Sequence, residues 1–264
     1  MLKYTDQMGQ VLELAYTPKR IVSIVPSQTE LLVHWGQEDK IVGITKFCIH
    51  PESCFKNKTK VGGTKKLNMS VIEALQPDLI IGNMEENERE DIEYLKSKYP
   101  VWMSNIKNLD DCYKMMSSLG ELLDCRAESE KMIRTMKHEF SLLSAYLPDA
   151  GKKKVAYFIW QEPLMVAAGD TFIHEMLKIA GYCNVFSGHQ RYPQIQPSEL
   201  QAAEPDLIFL SSEPYPFGEK HIAYFNHLCP DVRTVVVDGE LFSWYGSRLL
   251  AAPEYFKNLH ALLA

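Results

Sequence analysis

One short pattern occurs twice in this chain, 128 positions apart, and limits the folds open to it. Asn68 to Ile81 reads NMSVIEALQPDLII, and Gln196 to Phe209 reads QPSELQAAEPDLIF. With Pro77 set on Pro205, Ser70 falls on Ser198, Ala74 on Ala202, and the Pro-Asp-Leu-Ile runs coincide. The physical reading is the same each time. A helix capped near its serine runs to a proline that stops it, and an apolar, two-face-buried parallel strand follows. Helix-Pro-Asp-strand is also a common punctuation of α/β chains, but the matched serine favours duplication of a larger unit.

Between the two copies lies Arg126 to Leu147, RAESEKMIRTMKHEFSLLSAYL, with no Gly or Pro. Met132, Ile133, Met136, Phe140, Leu143 and Leu147 fall three or four apart, the helical period. Pro148 is expected to end it, because the residue before a proline is pushed out of the helical region. About 22 residues at a 1.5 Å rise span roughly 33 Å. A preceding helix over Asp110 to Leu123 breaks near Asp124-Cys125. The expected organisation is a lobe over 1–125, a connecting helix over 126–148 and a second lobe over 149–264. The expected fold class is α/β: two Rossmann-like lobes with parallel central sheets, bridged by one long backbone helix.

Along the first half, Tyr4–Met8 and Val11–Ala15 read as a hairpin. Arg20 to Val25 reads as a buried strand, followed by a helix with Ser27 as N-cap and Glu30 as its capping-box partner. In the second half, Lys154 to Trp160 and Thr234 to Val237 read as strands, Glu219 opens a helix, and Ala252 to Leu262 closes the chain as another. Residues 238–248 read as loop.

Composition removes several function classes. A net charge of −6 gives no basic surface for nucleic acid. No run approaches the roughly 18 apolar residues of a membrane span. The opening MLKYTDQMGQ carries no apolar signal region, so the sequence alone places the protein in the cytoplasm, or in the periplasm or on a lipid anchor if that start is not the native one. The six cysteines form no CxxC and read as buried free thiols. No GxSxG, phosphate-binding glycine loop or HExxH is present, which argues against an enzyme.

In an open parallel sheet, ligands bind beyond the carboxyl ends of the strands. The loops expected there carry Phe47, His50, Lys65, Glu85, Glu86, Trp160, Glu213, Tyr215, Phe217, Trp244, Tyr245 and Arg248, the candidate ligand-binding residues. Aromatic faces with a few orienting charges suit a bulky, partly apolar ligand. Cys48, His50 and Cys54 match no standard zinc spacing, so no protein-held metal is expected and His50 reads as a loop residue before Pro51. Trp244 and Arg248 are expected to serve the ligand and not the core.

Arg20-Ile-Val-Ser-Ile-Val-Pro-Ser-Gln-Thr-Glu-Leu-Leu, the Val61-Gly62-Gly63 turn, the doubled Pro-Asp-Leu-Ile and the long middle helix together resemble the class III periplasmic substrate-binding proteins. These helical-backbone metal-chelate receptors include cobalamin- and ferric-siderophore-binding proteins. The resemblance covers nearly the whole chain and is nearest the cobalamin-binding branch, because the 238–248 loop ends in Ser-Arg before the last helix. It implies two α/β lobes with the ligand in the cleft between them, a cobalamin-like corrinoid or a ferric siderophore or haem as ligand, no intrinsic cofactor, a monomeric receptor and an ABC permease as partner. Family members carry a glutamate in each lobe that meets arginines of the permease. Those positions hold Ser70 and Ser198 here, which argues against the usual docking. The alternative reading is a cytosolic corrinoid- or haem-handling protein, or an enzyme, without a permease.

Overall fold

The computed structural model describes residues 2–147 and 152–263. Pro148 and the expected 148/149 boundary lie outside them. The chain divides into two units. The first comprises Met1–Ile106, Asp110–Thr135 and Tyr245–Arg248; the second comprises Lys107–Leu109, Met136–Trp244 and Leu249–Ala264.

The first unit opens with an antiparallel hairpin, β1 (Leu2–Thr5) and β2 (Val11–Leu14). Its first strand starts and ends earlier than the sequence suggests, because the Asp6 carboxylate accepts from the N–H of Met8 and of Gln10 and makes 6–9 the turn. The sheet is then built from β3 (Ile21–Ser23), β4 (Ile41–Ile44), β5 (Thr59–Lys60), β6 (Leu79–Asn83) and β7 (Val101–Ser104), all parallel, in the order β5-β4-β3-β6-β7. The helices between them are α1 (Pro26–His34), α2 (Glu52–Asn57), α3 (Met69–Leu75) and α4 (Arg89–Lys96), followed by α5 (Leu109–Leu122). The sheet packs Val22, Ile24, Ile72, Ile80, Leu95 and Val101 into one core.

The long helix, α6, covers Arg126–Tyr146 as the apolar period requires. It starts after Asp124, whose left-handed φ of 58° ends α5. Its residues up to Thr135 belong to the first unit and those from Met136 to the second.

The second unit has its own sheet. Here β8 (Lys154–Trp160), β10 (Cys183–Asn184), β11 (Leu207–Ser211) and β12 (Arg233–Val237) run parallel in the order β10-β8-β11-β12, with β9 (Met165–Val166) antiparallel to β8. The helices are α7 (Phe172–Ile179), α8 (Pro197–Ala202), α9 (Glu219–Leu228), α10 (Glu240–Ser243) and α11 (Ala252–Leu263). Phe158, Ile208, Leu210, Phe217 and Phe225 are central to its core. The stretch expected to be loop over 238–248 therefore contains α10, and the 3₁₀ turn Ser247–Leu250 begins within it.

The duplication is real in three dimensions. α3–β6 and α8–β11 occupy the same place in their sheets, and β6 and β11 cover the same repeat positions. Gln76 and Glu204, equivalent in the repeat, both take left-handed φ, 46° and 44°. The repeated aspartate has a job that the sequence did not disclose. Asp78 donates its N–H to the Arg20 carbonyl (2.9 Å), while its carboxylate accepts from the Arg20 N–H (2.8 Å). Asp206 repeats this on Lys154: its N–H donates to the Lys154 carbonyl (2.8 Å) and its carboxylate accepts from the Lys154 N–H (2.6 Å). Each aspartate thus fixes the start of β6 or β11 against the start of β3 or β8.

Two capping assignments are corrected. The N-cap of α3 is Asn68, whose Oδ1 accepts from the Val71 N–H; Ser70, the second residue of the helix, donates to that same oxygen. In α8 the N-cap is Gln196, whose N–H donates to Glu199 Oε2. Likewise α1 starts on Pro26, with its φ preset for a first helical position, so Ser27 lies inside the helix and Glu30 makes no capping box.

Candidate ligand-binding loops

In the first unit, the carboxyl ends of β6 and β7 are joined by a buried polar network. Asn83 Nδ2 donates to the Ser104 hydroxyl (2.9 Å), as does Gln28 Nε2. The Ser104 hydroxyl in turn donates to the Gly82 carbonyl (3.1 Å). Asn83 Oδ1 accepts from the N–H groups of Glu85 (2.8 Å) and Glu86 (3.1 Å), which sets the course of the loop that carries those glutamates. Asn87 closes the loop, accepting from the Asn83 N–H and donating to the carbonyls of Ile24 and Thr64. Tyr245 reaches this network from the far end of the chain, its phenol buried beside Ser104 and Ser27.

The electrostatics follow from that burial. Desolvation pushes the Glu86 carboxyl above its ordinary value; the charge of Glu85 adds to this and Lys65 opposes it. The Tyr245 phenol is held well above its ordinary value by burial first and then by Glu86. Lys65 is already engaged: its ammonium donates to the Glu85 carbonyl (2.8 Å) and pairs with Glu88 at 3.5 Å. Phe47 is half exposed, with Lys46 Nζ 5.0 Å from its ring centre. His50 is half-buried beside α2.

Arg248 is in the first unit and faces a protein partner. Its Nη2 lies 2.7 Å from Glu30 Oε1 and its Nε 3.2 Å from Oε2, which also accepts from Ser247. This bidentate pair explains why Glu30 does not cap α1. Cys48 and Cys54, weighed for a metal, are buried thiols, and Cys48 Sγ lies against the hydroxyls of Thr29 and Thr45. Among the described residues no three His, Cys, Asp or Glu side chains gather to hold a metal ion.

In the second unit, Trp160 ends β8 with its ring exposed, its Nε1–H donating to the Glu162 carbonyl (3.0 Å). Tyr215 stands edge-on to it at 5.3 Å, and its hydroxyl donates to Gln161 Oε1. Phe217 departs from expectation: at 5% exposure it packs on Phe225 and His221 and is core. Trp244 and Tyr245 are also buried, at 7% and 8% exposure, so neither offers the open face a stacking residue needs. The Glu213 carboxylate accepts from the Ser243 hydroxyl, and its backbone carbonyl accepts from Ser211 Oγ. Gly239 is required here, since a Cβ would come within 2.2 Å of Ser211 Oγ and 2.9 Å of Glu213 Cγ. An open pocket of about 440 Å³ lies at the ends of β11 and β12, lined by Ser212, Val236, Val237, Asp238 and Glu240.

Sequence reasoning missed Asn83, Asn87, Ser104, Gln28 and Ser243. The one available signal was a polar residue ending an otherwise apolar strand, as in Leu-Ile-Ile-Gly-Asn and Val-Trp-Met-Ser.

The family model described as periplasmic binding protein matches residues 21–224. The chain belongs to the periplasmic binding protein family. A vitamin B12-binding protein of Vibrio parahaemolyticus serotype O3:K6 (strain RIMD 2210633) is 26% identical over 203 residues, covering 76% of this chain and 74% of the relative. An uncharacterized ABC transporter substrate-binding lipoprotein, YvrC, of Bacillus subtilis (strain 168) is 24% identical over 211 residues, covering 77% and 67%. The solved structure of the periplasmic heme-binding protein BhuT in complex with two hemes superposes with a TM-score of 0.81 at 22% identity, covering 93% of this chain and 99% of that one.

As a periplasmic binding protein, the chain is a receptor and not an enzyme, as its lack of catalytic motifs implied. The cytoplasmic location is corrected. The relatives are named as a lipoprotein and as periplasmic. An export signal takes no part in the packing of the domain it delivers, so the polar opening residues carry no weight on compartment.

Proposed function

We propose that this periplasmic binding protein captures a metal chelate with a bulky ring or shell, a cobalamin-like corrinoid or a ferric siderophore or haem, at the loops beyond the carboxyl ends of its parallel strands. The chelate is cargo, not an intrinsic cofactor. One observation carries the reading: Trp160, exposed at the end of β8, and Tyr215, half-buried on the loop after β11, form an edge-to-face pair, an apolar platform with polar groups around it. Phe47 and Lys65 are the accessible candidates in the first unit, with Glu85 and Glu86 beside them. Phe217, Trp244, Tyr245 and Arg248 support these loops from within. The names of the relatives, for vitamin B12 and for heme, are consistent with such a ligand.

We further propose that the receptor works as a monomer and delivers its cargo to an ABC permease. Ser70 and Ser198 are exposed at the starts of α3 and α8, so any docking there is by neutral contacts in place of paired charges. Titration with cyanocobalamin, haemin and ferric siderophores, followed by absorbance and calorimetry, tests the ligand class. Saturable binding of at least one with micromolar or tighter affinity is expected, and no binding of any refutes the proposal.

A further inference from the structure

The two units share one construction and differ at its rim. The repeat sets Ile80 on Ile208, and the strand registers pair Ile80 with Val101 and Ile208 with Thr234. So Met103 on β7 matches Val236 on β12, and Asn105 matches Asp238. Both strands are the last of their sheets. Along a parallel strand, successive residues turn their N–H and carbonyl groups to opposite sides. The Ser104 carbonyl accepts from the Met84 N–H and the Val237 carbonyl from the Ser212 N–H. Ser104 and Val237 therefore face inward along their sheets, and Met103 and Val236 face the open side.

In the first unit the N-terminal hairpin closes that side. The Gln7 N–H donates to the Met103 carbonyl (3.0 Å), the Met103 N–H to Asp6 Oδ2 (3.3 Å) and the Asn105 N–H to Gln7 Oε1 (3.0 Å). In the second unit only the last of these has a counterpart: the Asp238 N–H donates to the Tyr255 hydroxyl (2.9 Å). The N–H and carbonyl of Val236 meet no hydrogen-bond partner among the described residues. Val236 is half-buried and lines the open pocket of about 440 Å³, with Val237, Ser212, Asp238 and Glu240. That wall holds two carboxylates and, among the described residues, no Lys or Arg. An open strand edge is a template for further polypeptide, and the first unit shows what this place in the fold accepts. The hairpin that serves there is already engaged on β7, and an acidic wall selects a cationic side chain.

We propose that the edge of β12 at Val236 docks an extended, basic peptide segment of a partner protein. A carbonyl of the peptide takes the Val236 N–H, an N–H of the peptide serves the Val236 carbonyl, and a Lys or Arg side chain reaches Asp238 and Glu240 in the pocket. The inference goes beyond chelate capture and does not rest on it.

The probe is a fluorescently tagged peptide, Thr-Val-Lys-Val-Thr with an amidated end. Beside it stand a version with Glu for Lys and two versions N-methylated on one or the other set of alternate amides. Anisotropy reads affinity, amide hydrogen exchange reads Val236, light scattering reads mass and thermal melts read folding. The Lys peptide is expected to bind at least about fivefold more tightly than the Glu peptide and to slow exchange of the Val236 N–H at least about tenfold. One methylated version should lose at least about fivefold while the other is tolerated, because alternate amides face opposite sides of a strand. Glu240→Gln should narrow the gap between the Lys and Glu peptides. Val236→Pro removes an outward N–H that no ladder bond uses, and should abolish binding; if that variant does not fold, the methylated peptides and Glu240→Gln decide. No binding of the Lys peptide, equal binding of the Lys and Glu peptides, or no protection at Val236 overturns the inference. Butylammonium binding as tightly as the Lys peptide overturns it in favour of a small-cation pocket. A parent dimer that Val236→Pro dissociates overturns it in favour of a second copy on this edge.

Discussion

Arg248 was read from the sequence as a ligand residue; its geometry makes it a structural one, and a double-mutant cycle with Glu30 measures how much. The two side chains are about one-fifth exposed and meet through two hydrogen bonds of 2.7 and 3.2 Å. With charge centres about 4 Å apart and an effective dielectric near 20, the Coulomb attraction is about 4 kcal/mol. Desolvation of two partly buried ions removes roughly half, leaving a coupling of about 2 kcal/mol, above the 0–1 kcal/mol of exposed pairs. Arg248→Met alone should cost about 2–3 kcal/mol, because the partly buried Glu30 carboxylate loses its cation. Glu30→Gln should cost less, and the double variant should be nearly additive minus the coupling. The assay is urea unfolding of parent, both single variants and the double variant, with the first transition fitted. A coupling under about 0.5 kcal/mol refutes the reasoning and returns Arg248 to the pool of ligand residues. So does an Arg248→Met variant of parental stability that has lost chelate binding.

Other outcomes follow from the same geometry. Trp244→Ala should cost about 3–5 kcal/mol of stability, read as a lowered urea midpoint, since the ring is 7% exposed; parental stability would put it back on the surface. Trp160→Ala should leave folding within about 0.5 kcal/mol and weaken chelate binding by about 1–3 kcal/mol in calorimetry, as befits an exposed aromatic contact. Asn83→Ala strips the loop N–H groups of Glu85 and Glu86 of their acceptor, and a loss of about 1–3 kcal/mol is expected in thermal melts. For Glu86 the folded carboxyl is raised, so between about pH 4.5, the unfolded value, and its higher folded value the native state holds more protons, and stability falls as pH rises. Glu86→Gln should therefore melt above the parent at pH 7 and converge with it below about pH 4.5; a variant less stable than the parent at pH 7 would contradict this.

The architecture was legible because its signals are local and periodic. The apolar residues of 126–147 fix a long helix whatever surrounds them, and Pro-Asp-Leu-Ile announces each buried strand. Asp78 and Asp206 were seen as punctuation only, because their partners lie 58 and 52 positions away. The site was less legible for the same reason. Glu30 looks like a capping partner for Ser27 three residues before it, and its true partner is 218 positions on. Phe217 and Trp244 have the composition of a ligand platform, but burial depends on what packs over them, which a loop's sequence does not state. Trp160 ends β8 where the sequence places the strand's end, since a strand's terminus can be located from its period, whereas Tyr215 lies half-buried four residues beyond β11.

The assignment of Tyr245–Arg248 to the first unit bears on how the protein is made. Tyr245 is buried against the polar network of Ser27 and Ser104, and Arg248 neutralises Glu30. A ribosome delivers residues in order, so the first unit emerges early yet lacks these four residues until nearly the whole chain has been translated. Until then Glu30 waits without its arginine and the Ser104 end of the sheet without its tyrosine. Nascent chains should therefore hold a loosened first unit that tightens only at the close of synthesis, and shortening the gene to end before codon 245 should leave that unit sensitive to protease although its own sheet is complete.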